Sequence, residues 1–158
     1  MNVTPSTTVS IIAVVVSVGL VPSIASASLG GSVSSVETDR VQMKSALVRI
    51  ARSDAYTVHE IQSPAGTTVR EYYGANGVVF GVSWDGEFPP DLRQLLGTYF
   101  DQYRTAVQRT RRGRKARGRL AIDDSALIVR TAAHTRSFSG IAYAPNLVPI
   151  GVSPSVVR

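Results

Sequence analysis

Residues 56–84 read YTVHEIQSPAGTTVREYYGANGVVFGVSW, and this stretch decides the fold. Two runs rich in β-branched and aromatic residues, 56–62 and 67–73, are separated by a Ser-Pro-Ala-Gly sequence with turn chemistry. Asn76-Gly77 then predicts a tight turn, because both positions tolerate positive φ, and a third extended run follows over 78–84. The stretch therefore predicts a three-stranded antiparallel meander.

A helix is predicted directly after the meander. Pro89-Pro90-Asp91 cannot continue a strand and can start a helix. Apolar residues then recur at helical spacing and define one broad face: Leu92, Leu95, Leu96, Tyr99, Phe100, Tyr103 and Val107.

A second helix is predicted before the meander. Residues 34–37 form a Ser-Ser-Val-Glu capping box, and an apolar stripe follows at Val36, Met43, Leu47 and Ile50. This helix is expected to end near residues 52–54.

The last third of the chain predicts a closing hairpin. Residues 120–122, 126–131 and 135–143 have strand character. The irregular tail after Pro145 is apolar enough to pack on the body through Leu147, Val148 and Ile150. The predicted fold class is α+β: an antiparallel sheet, made of the meander and the C-terminal hairpin, with two amphipathic helices on one face.

The N-terminus predicts a cleaved signal peptide over residues 1–27. The apolar run 9–21 is about 13 residues long, which suits a signal-peptide core and is too short for a spanning helix of about 20. Pro22 ends this run, and Ala25-Ser26-Ala27 supplies small residues for cleavage between Ala27 and Ser28. The n-region has no Lys or Arg, which departs from the usual pattern. We expect an exported single domain at 28–158, periplasmic or extracellular, without a transmembrane anchor after processing.

Composition excludes several classes of site. The chain has no cysteine, so disulfides, thiolate metal sites and cysteine nucleophiles are absent. Hydrophobic residues make up 44% of the chain, which is typical of a folded domain.

Six separated blocks carry a resemblance to a known family. They are ASLGG at 27–31, YTVHEI at 56–61, GTTVREY at 66–72, GVVFGVSW at 77–84, PDLRQLLG at 90–97 with YF at 99–100, and GVS at 151–153. In this order they resemble a short exported proteobacterial family, the domain of unknown function 2844. The resemblance implies export and a single α+β domain, and it implies no activity, cofactor or catalytic residue.

The two histidines are the first candidates for proton transfer or metal binding. On a strand, His59 and Glu60 point to opposite faces and cannot act together directly. A cluster of His59 with Arg70 and Glu71 across the hairpin is conceivable, as is a site joined by His134, but neither arrangement is a motif. A metal site of two histidines and a carboxylate would require both histidines to converge. We expect no metal and no cofactor.

Other side chains offer weaker candidates. No Gly-x-Ser-x-Gly elbow occurs. Asp85, Glu87 and Asp91 could supply paired carboxylates as in a glycosidase, although such loop acids usually cap helices. Trp84 could stack on a sugar or peptide, or anchor the core.

The stretch 109–119 is a predicted basic loop. It holds seven basic residues, and the net charge of the whole chain is +6, so the loop accounts for the basic character of the protein. It could bind the phosphates of anionic envelope lipid, whereas nucleic acid is not expected because aromatic residues for base stacking are absent there. Its basic residues are Arg109, Arg111, Arg112, Arg114, Lys115, Arg117 and Arg119.

Chemistry-bearing side chains are therefore few and scattered. We expect a non-enzymatic binding module for an unknown protein or envelope component. The alternatives are a small hydrolase that uses His59 or His134 with a carboxylate, and a lipid binder that acts through the basic loop.

Overall fold

The computed structural model describes residues 28–32, 46–113 and 119–158, with the backbone alone described at 46–48 and 111–113. The helical region comprises α1 (Leu92–Leu96), a 3₁₀ turn (Gly97–Tyr99) and α2 (Phe100–Gly113). The strands are β1 (Ala46–Arg52), β2 (Tyr56–Gln62), β3 (Thr68–Gly74), β4 (Val79–Gly86), β5 (Arg119–Asp123), β6 (Ile128–His134) and β7 (Ser137–Tyr143).

All seven strands form one antiparallel sheet in the order β1-β2-β3-β4-β7-β6-β5. The predicted meander is confirmed as β2, β3 and β4, and Gly77 in its second turn has a φ of 71°. The three strand segments predicted near the C-terminus are confirmed as β5, β6 and β7, and β7 pairs with β4. The molecule is therefore mostly β, with an open sheet that has β1 and β5 at its edges.

The helix predicted before the meander is wrong over 46–52, where the chain forms β1 and pairs with β2. Its predicted capping box lies outside the described residues. A short apolar segment fits both the helical and the strand period. Without β1, the edge of β2 would leave a row of backbone donors and acceptors without partners, so pairing decides the outcome.

One face of the sheet, the helix face, is covered by α1 and α2. The predicted helix after the meander is confirmed, with an interruption at Gly97, whose φ of 48° ends α1. Leu95 and Leu96 are buried against strand residues of this face. The strand residues in this core include Val69, Val82, Trp84, Ile122, Val129 and Ala142.

The opposite face, the tail face, is partly covered by residues 145–158. Val157 packs with Tyr72 and Phe80, and Leu147 and Val148 join this second cluster as predicted. The prediction for Ile150 is wrong, because its side chain is fully exposed.

The prediction of a basic loop over 109–119 is wrong at 109–113 and at Arg119. Residues 109–113 belong to α2, because arginine is a good helix former, and Arg119 begins β5. Residues 114–118 lie outside the described part of the chain, as does the predicted signal peptide. Among the described residues, none of the helices combines the length and the apolar character needed to cross a bilayer.

Candidate functional site

A cleft of about 750 Å³ opens on the tail face, beside the segment that residues 145–158 cover. Every second residue of a strand points to the same face, so strand alternation tells which of its lining side chains belong to the tail face. We call it the arginine cleft. The side chains that line it from the tail face are Arg70, Ser83, Asp85, Arg119, Ala121, Arg130, Ala132, Ser139 and Ile141. The residues between them on the same strands also line it, namely Trp84, Leu120, Thr131 and Gly140, as do Thr110 and Arg158.

Register arranges these side chains in two cross-strand rows. The first row runs Arg70, Ser83, Ile141, Arg130 and Ala121. The second row runs Asp85, Ser139, Ala132 and Arg119. Strands lie about 4.8 Å apart, so the two ends of the cleft are separated by roughly 14 Å.

Arg70 is held at one end of the cleft by two carboxylates. Its Nε donates to Glu60 Oε2 at 2.8 Å, and its Nη1 donates to Asp85 Oδ1 at 2.7 Å. Partial burial lowers the pKa of Arg70, but the hydrogen bonds and charges of Asp85 and Glu60 outweigh burial and hold the pKa above its ordinary value. Arg70 therefore stays protonated and oriented at every physiological pH.

Arg130 and Arg119 lie at the other end of the cleft. Nη1 of Arg130 donates to the carbonyl oxygens of Ile122 at 3.0 Å and Val129 at 3.2 Å, and Nη2 donates to Asp123. Arg119 is diagonal to Arg130 across β5 and β6, which sets the two residues about 7–8 Å apart, with their Cβ atoms somewhat closer. Within the described residues, Arg119 has no ion-pair partner.

The end of the tail forms one wall of the cleft. The Tyr72 hydroxyl donates to the main-chain oxygen of Arg158 at 2.7 Å, and the Ser83 hydroxyl donates to the same oxygen at 2.9 Å. Val157 fits over Gly81, where a Cβ would lie 2.6 Å from Val157 Cγ2. These contacts hold Val157 and Arg158 against the tail face of the sheet.

The predicted His59, Arg70 and Glu71 cluster does not form, because the sheet separates its members. His59 and Glu71 are opposite each other in register on the helix face, and both are buried. Arg70 lies on the tail face with Glu60. The prediction that His59 and Glu60 point to opposite faces agrees with the register.

His59 has a phenol partner. Its Nε2 lies 2.8 Å from the Tyr73 hydroxyl oxygen, and the two rings meet edge to face with centroids 4.8 Å apart. His59 does not line the arginine cleft. His134 ends β6, four strand spacings or about 19 Å from β2, so the two histidines do not converge.

The other candidates have structural partners. Trp84 is buried in the helix-face core. Asp91 caps α1, with Oδ1 accepting from the backbone N–H of Arg93 at 2.8 Å and of Gln94 at 3.3 Å. Glu87 lies 3.9 Å from Arg136, and Asp85 pairs with Arg70, so the three predicted acids do not form a pair.

The predicted anion-binding residues divide between α2, β5 and the part of the chain that is not described. Arg109 is exposed on α2, and Arg119 lines the arginine cleft. The side chains of Arg111, Arg112, Arg114, Lys115 and Arg117 are outside the described part.

Within the described ranges, no group of three or more His, Asp or Glu side chains is arranged to hold a metal ion.

Sequence reasoning missed most of the cleft. Ser83, Arg130, Ser139 and Arg158 were not singled out. For Ser83, Arg130 and Ser139 the signal is strand alternation, which places them on the same faces of their strands as Asp85, Ala132 and Ile141. Only the order of the strands brings these faces together.

Comparison with known proteins identifies the family. No curated protein and no solved structure matches the chain. A family model described as "Protein of unknown function (DUF2844)" matches residues 25–157, which is most of the chain and agrees with the blocks that carried the resemblance. The chain therefore belongs to the DUF2844 family of proteins of unknown function.

Proposed function

We propose that this protein is an exported binding module that holds its ligand in the arginine cleft. The observation that carries this proposal is the cleft itself. Its volume of about 750 Å³ lies within the range of small-ligand sites, about 300–1,000 Å³. Its walls combine apolar side chains with several fixed hydrogen-bond donors, which is the usual composition of such sites.

The fixed donors favour binding. Arg70 and Arg130 are already oriented by their carboxylate and carbonyl partners. A ligand would therefore not bear the full entropy cost of ordering these long side chains. Binding at preorganised guanidinium groups is stronger for the same number of hydrogen bonds.

The core around Leu29 is compatible with the proposed export. Leu29 is 1% exposed, and its backbone N–H donates to the carbonyl oxygen of Leu95 at 2.9 Å. Cleavage between Ala27 and Ser28 would retain this buried residue. The family match begins at residue 25, close to the proposed cleavage site.

Export is tested by expressing the full chain with a C-terminal tag in a bacterial host and measuring the intact mass of the fractionated product. We expect a periplasmic or secreted product that starts at Ser28. An Ala27→Asp variant should block cleavage. A full-length product in the cytoplasm would contradict the proposed export.

Binding is tested by NMR on isotope-labelled protein that starts at Ser28, titrated with the small-molecule fraction of a bacterial envelope extract. We expect amide shift changes to cluster on β4, β5, β6 and β7 at the cleft. An Ala132→Trp variant, which fills the cleft floor, should lose them, whereas Ala65→Trp on the distant hairpin turn should keep them. Shift changes confined to His59 and Tyr73, or turnover of a compound, would instead favour the hydrolase alternative.

A further inference from the structure

We infer that the arginine cleft recognises an amphipathic anion, whose phosphate or carboxylate head lies at the β5–β6 end and whose apolar body extends along the floor. This inference rests on the proposed function and adds the chemical class of the ligand. It follows from how charge and apolar surface are distributed along the two cross-strand rows.

The β5–β6 end supplies the head-group contacts. Arg119 and Arg130 are diagonal neighbours about 7–8 Å apart, and both side chains are long enough to reach one oxyanion between them. Asp123 pairs with Arg130, whereas Arg119 has no ion pair within the described residues. This end therefore retains a guanidinium group with its full hydrogen-bonding capacity, and guanidinium groups bind oxyanions through two parallel N–H donors.

The opposite end does not suit an anion. Arg70 there is matched by both Glu60 and Asp85, so the carboxylates outnumber the guanidinium groups of this ion-pair cluster. Asp85 on β4 is two strand spacings, roughly 10 Å, from Arg130 and three, roughly 14 Å, from Arg119, and both separations exceed the Debye length of about 8 Å at physiological ionic strength. A head at Arg119 and Arg130 is therefore screened from Asp85.

The floor between the ends suits an apolar body. Ile141 and Ala132 lie next to Arg130 and Arg119 on the tail face. Ser83 and Ser139 follow toward the opposite end, and the Ser83 hydroxyl already donates to the main-chain oxygen of Arg158. A short alkyl chain that starts at the β5–β6 end would replace water along this floor.

The probe is octyl phosphate below its micelle concentration, titrated into the folded protein by calorimetry. The two controls are inorganic phosphate, which has the anionic head without the chain, and octyl glucoside, which has the chain with an uncharged head. We expect octyl phosphate to bind at least about tenfold more tightly than either control, because only it engages both the donors and the floor. The affinity should fall as salt is raised. Equal binding of octyl glucoside would overturn the anion inference while leaving the cleft as a binding site.

Charge variants test the position of the head. Arg119→Gln should weaken octyl phosphate binding about tenfold, while Arg104→Gln, the same charge change on the outer side of α2, should leave it unchanged. Asp85→Asn should change it by less than about twofold because of screening. Wild-type affinity in Arg119→Gln, or a large gain in Asp85→Asn, would overturn the proposed position. The thermal unfolding midpoint of each variant checks that it is folded.

Vesicles distinguish a free amphiphile from a lipid headgroup. Co-sedimentation with phosphatidylglycerol vesicles that is lost in Arg119→Gln would identify the bilayer as the source of the anion. Octyl phosphate binding without retention on vesicles would identify a soluble amphiphile. Absence of binding to both probes would overturn the inference, and NMR shifts at the cleft with envelope extract would then still support the proposed function.

Discussion

At the scale of single residues, β2 and β3 carry a buried hydrogen bond on one face and partly exposed ion pairs on the other. His59 bonds to Tyr73 on the buried helix face, and Arg70 bonds to Glu60 and Asp85 on the more open tail face. A buried polar atom that loses its partner carries the full cost of desolvation. When an exposed ion pair is broken, water can bond to the remaining group and offsets part of the loss. The buried contact should therefore matter more for stability.

Tyr73→Phe tests the buried contact. It removes the hydroxyl from His59 Nε2 without changing the ring, so the free energy of unfolding should fall by about 1–2 kcal/mol. Chemical denaturation measures this change. Tyr56→Phe is the matched control, since no hydroxyl hydrogen bond of Tyr56 occurs within the described residues, and an equal effect of both variants would contradict the role of the His59 contact.

Gly140→Ala tests a close approach in the sheet. A Cβ at this position would lie 2.7 Å from Trp84 Cε2 and 2.9 Å from the carbonyl oxygen of Arg130, so the indole must move. We expect a loss of about 1–3 kcal/mol in the free energy of unfolding and a change in Trp84 fluorescence. Ser137→Ala, at an exposed position of the same strand, should leave both unchanged, and a silent Gly140→Ala would mean that Trp84 is loosely packed.

At the scale of elements, the helical layer depends on how α1 begins. The five residues of α1 are too few to be stable alone, and Asp91 supplies two of the bonds that its first turn needs. Packing of Leu95 and Leu96 on the helix face provides the remaining stabilisation.

Asp91→Ala should lower the free energy of unfolding by about 1 kcal/mol through loss of this cap. Asp91→Ser keeps an acceptor at the N-cap and should retain most of the stability. Urea denaturation of the three proteins gives the comparison. If Asp91→Ala and Asp91→Ser lower the free energy of unfolding equally, Asp91 would have a role other than capping.

At the scale of the whole molecule, the Arg70 ion-pair cluster joins β2, β3 and β4 across the sheet. The pKa of Arg70 lies above its ordinary value in the folded protein. The stabilising effect of the cluster is therefore complete below the unfolded-state pKa and is lost only as pH rises through the folded-state pKa. An arginine side chain stays protonated across the neutral and mildly alkaline range in both states, so this loss falls outside that range.

Arg70→Gln should therefore lower the free energy of unfolding by the same amount at about pH 7 and at about pH 10, with a size of about 0.5–1 kcal/mol for a partly exposed cluster. Denaturant titrations of both proteins at each pH measure the difference. A difference that disappears by about pH 10 would show that another titrating group sustains the effect.

Much of the architecture follows from local sequence, because strand and helix periods and turn residues act over a few positions. The meander, the helix after Pro90, the turn at Gly77 and the cap at Asp91 were predictable in this way. The opposite pointing of His59 and Glu60 was predictable for the same reason. Strand β1 was not, because a short apolar segment fits either period and the edge of β2 decides between them.

The arginine cleft was decided by tertiary structure alone. Ser83, Ile141 and Arg130 belong to three strands that are distant in sequence, and only the pairing of β4 with β7 and of β7 with β6 makes them one row. The sequence by itself determined the family, the turns and the alternation of each strand. The order of the strands, which depends on long-range burial rather than on local preference, determined which polar faces meet.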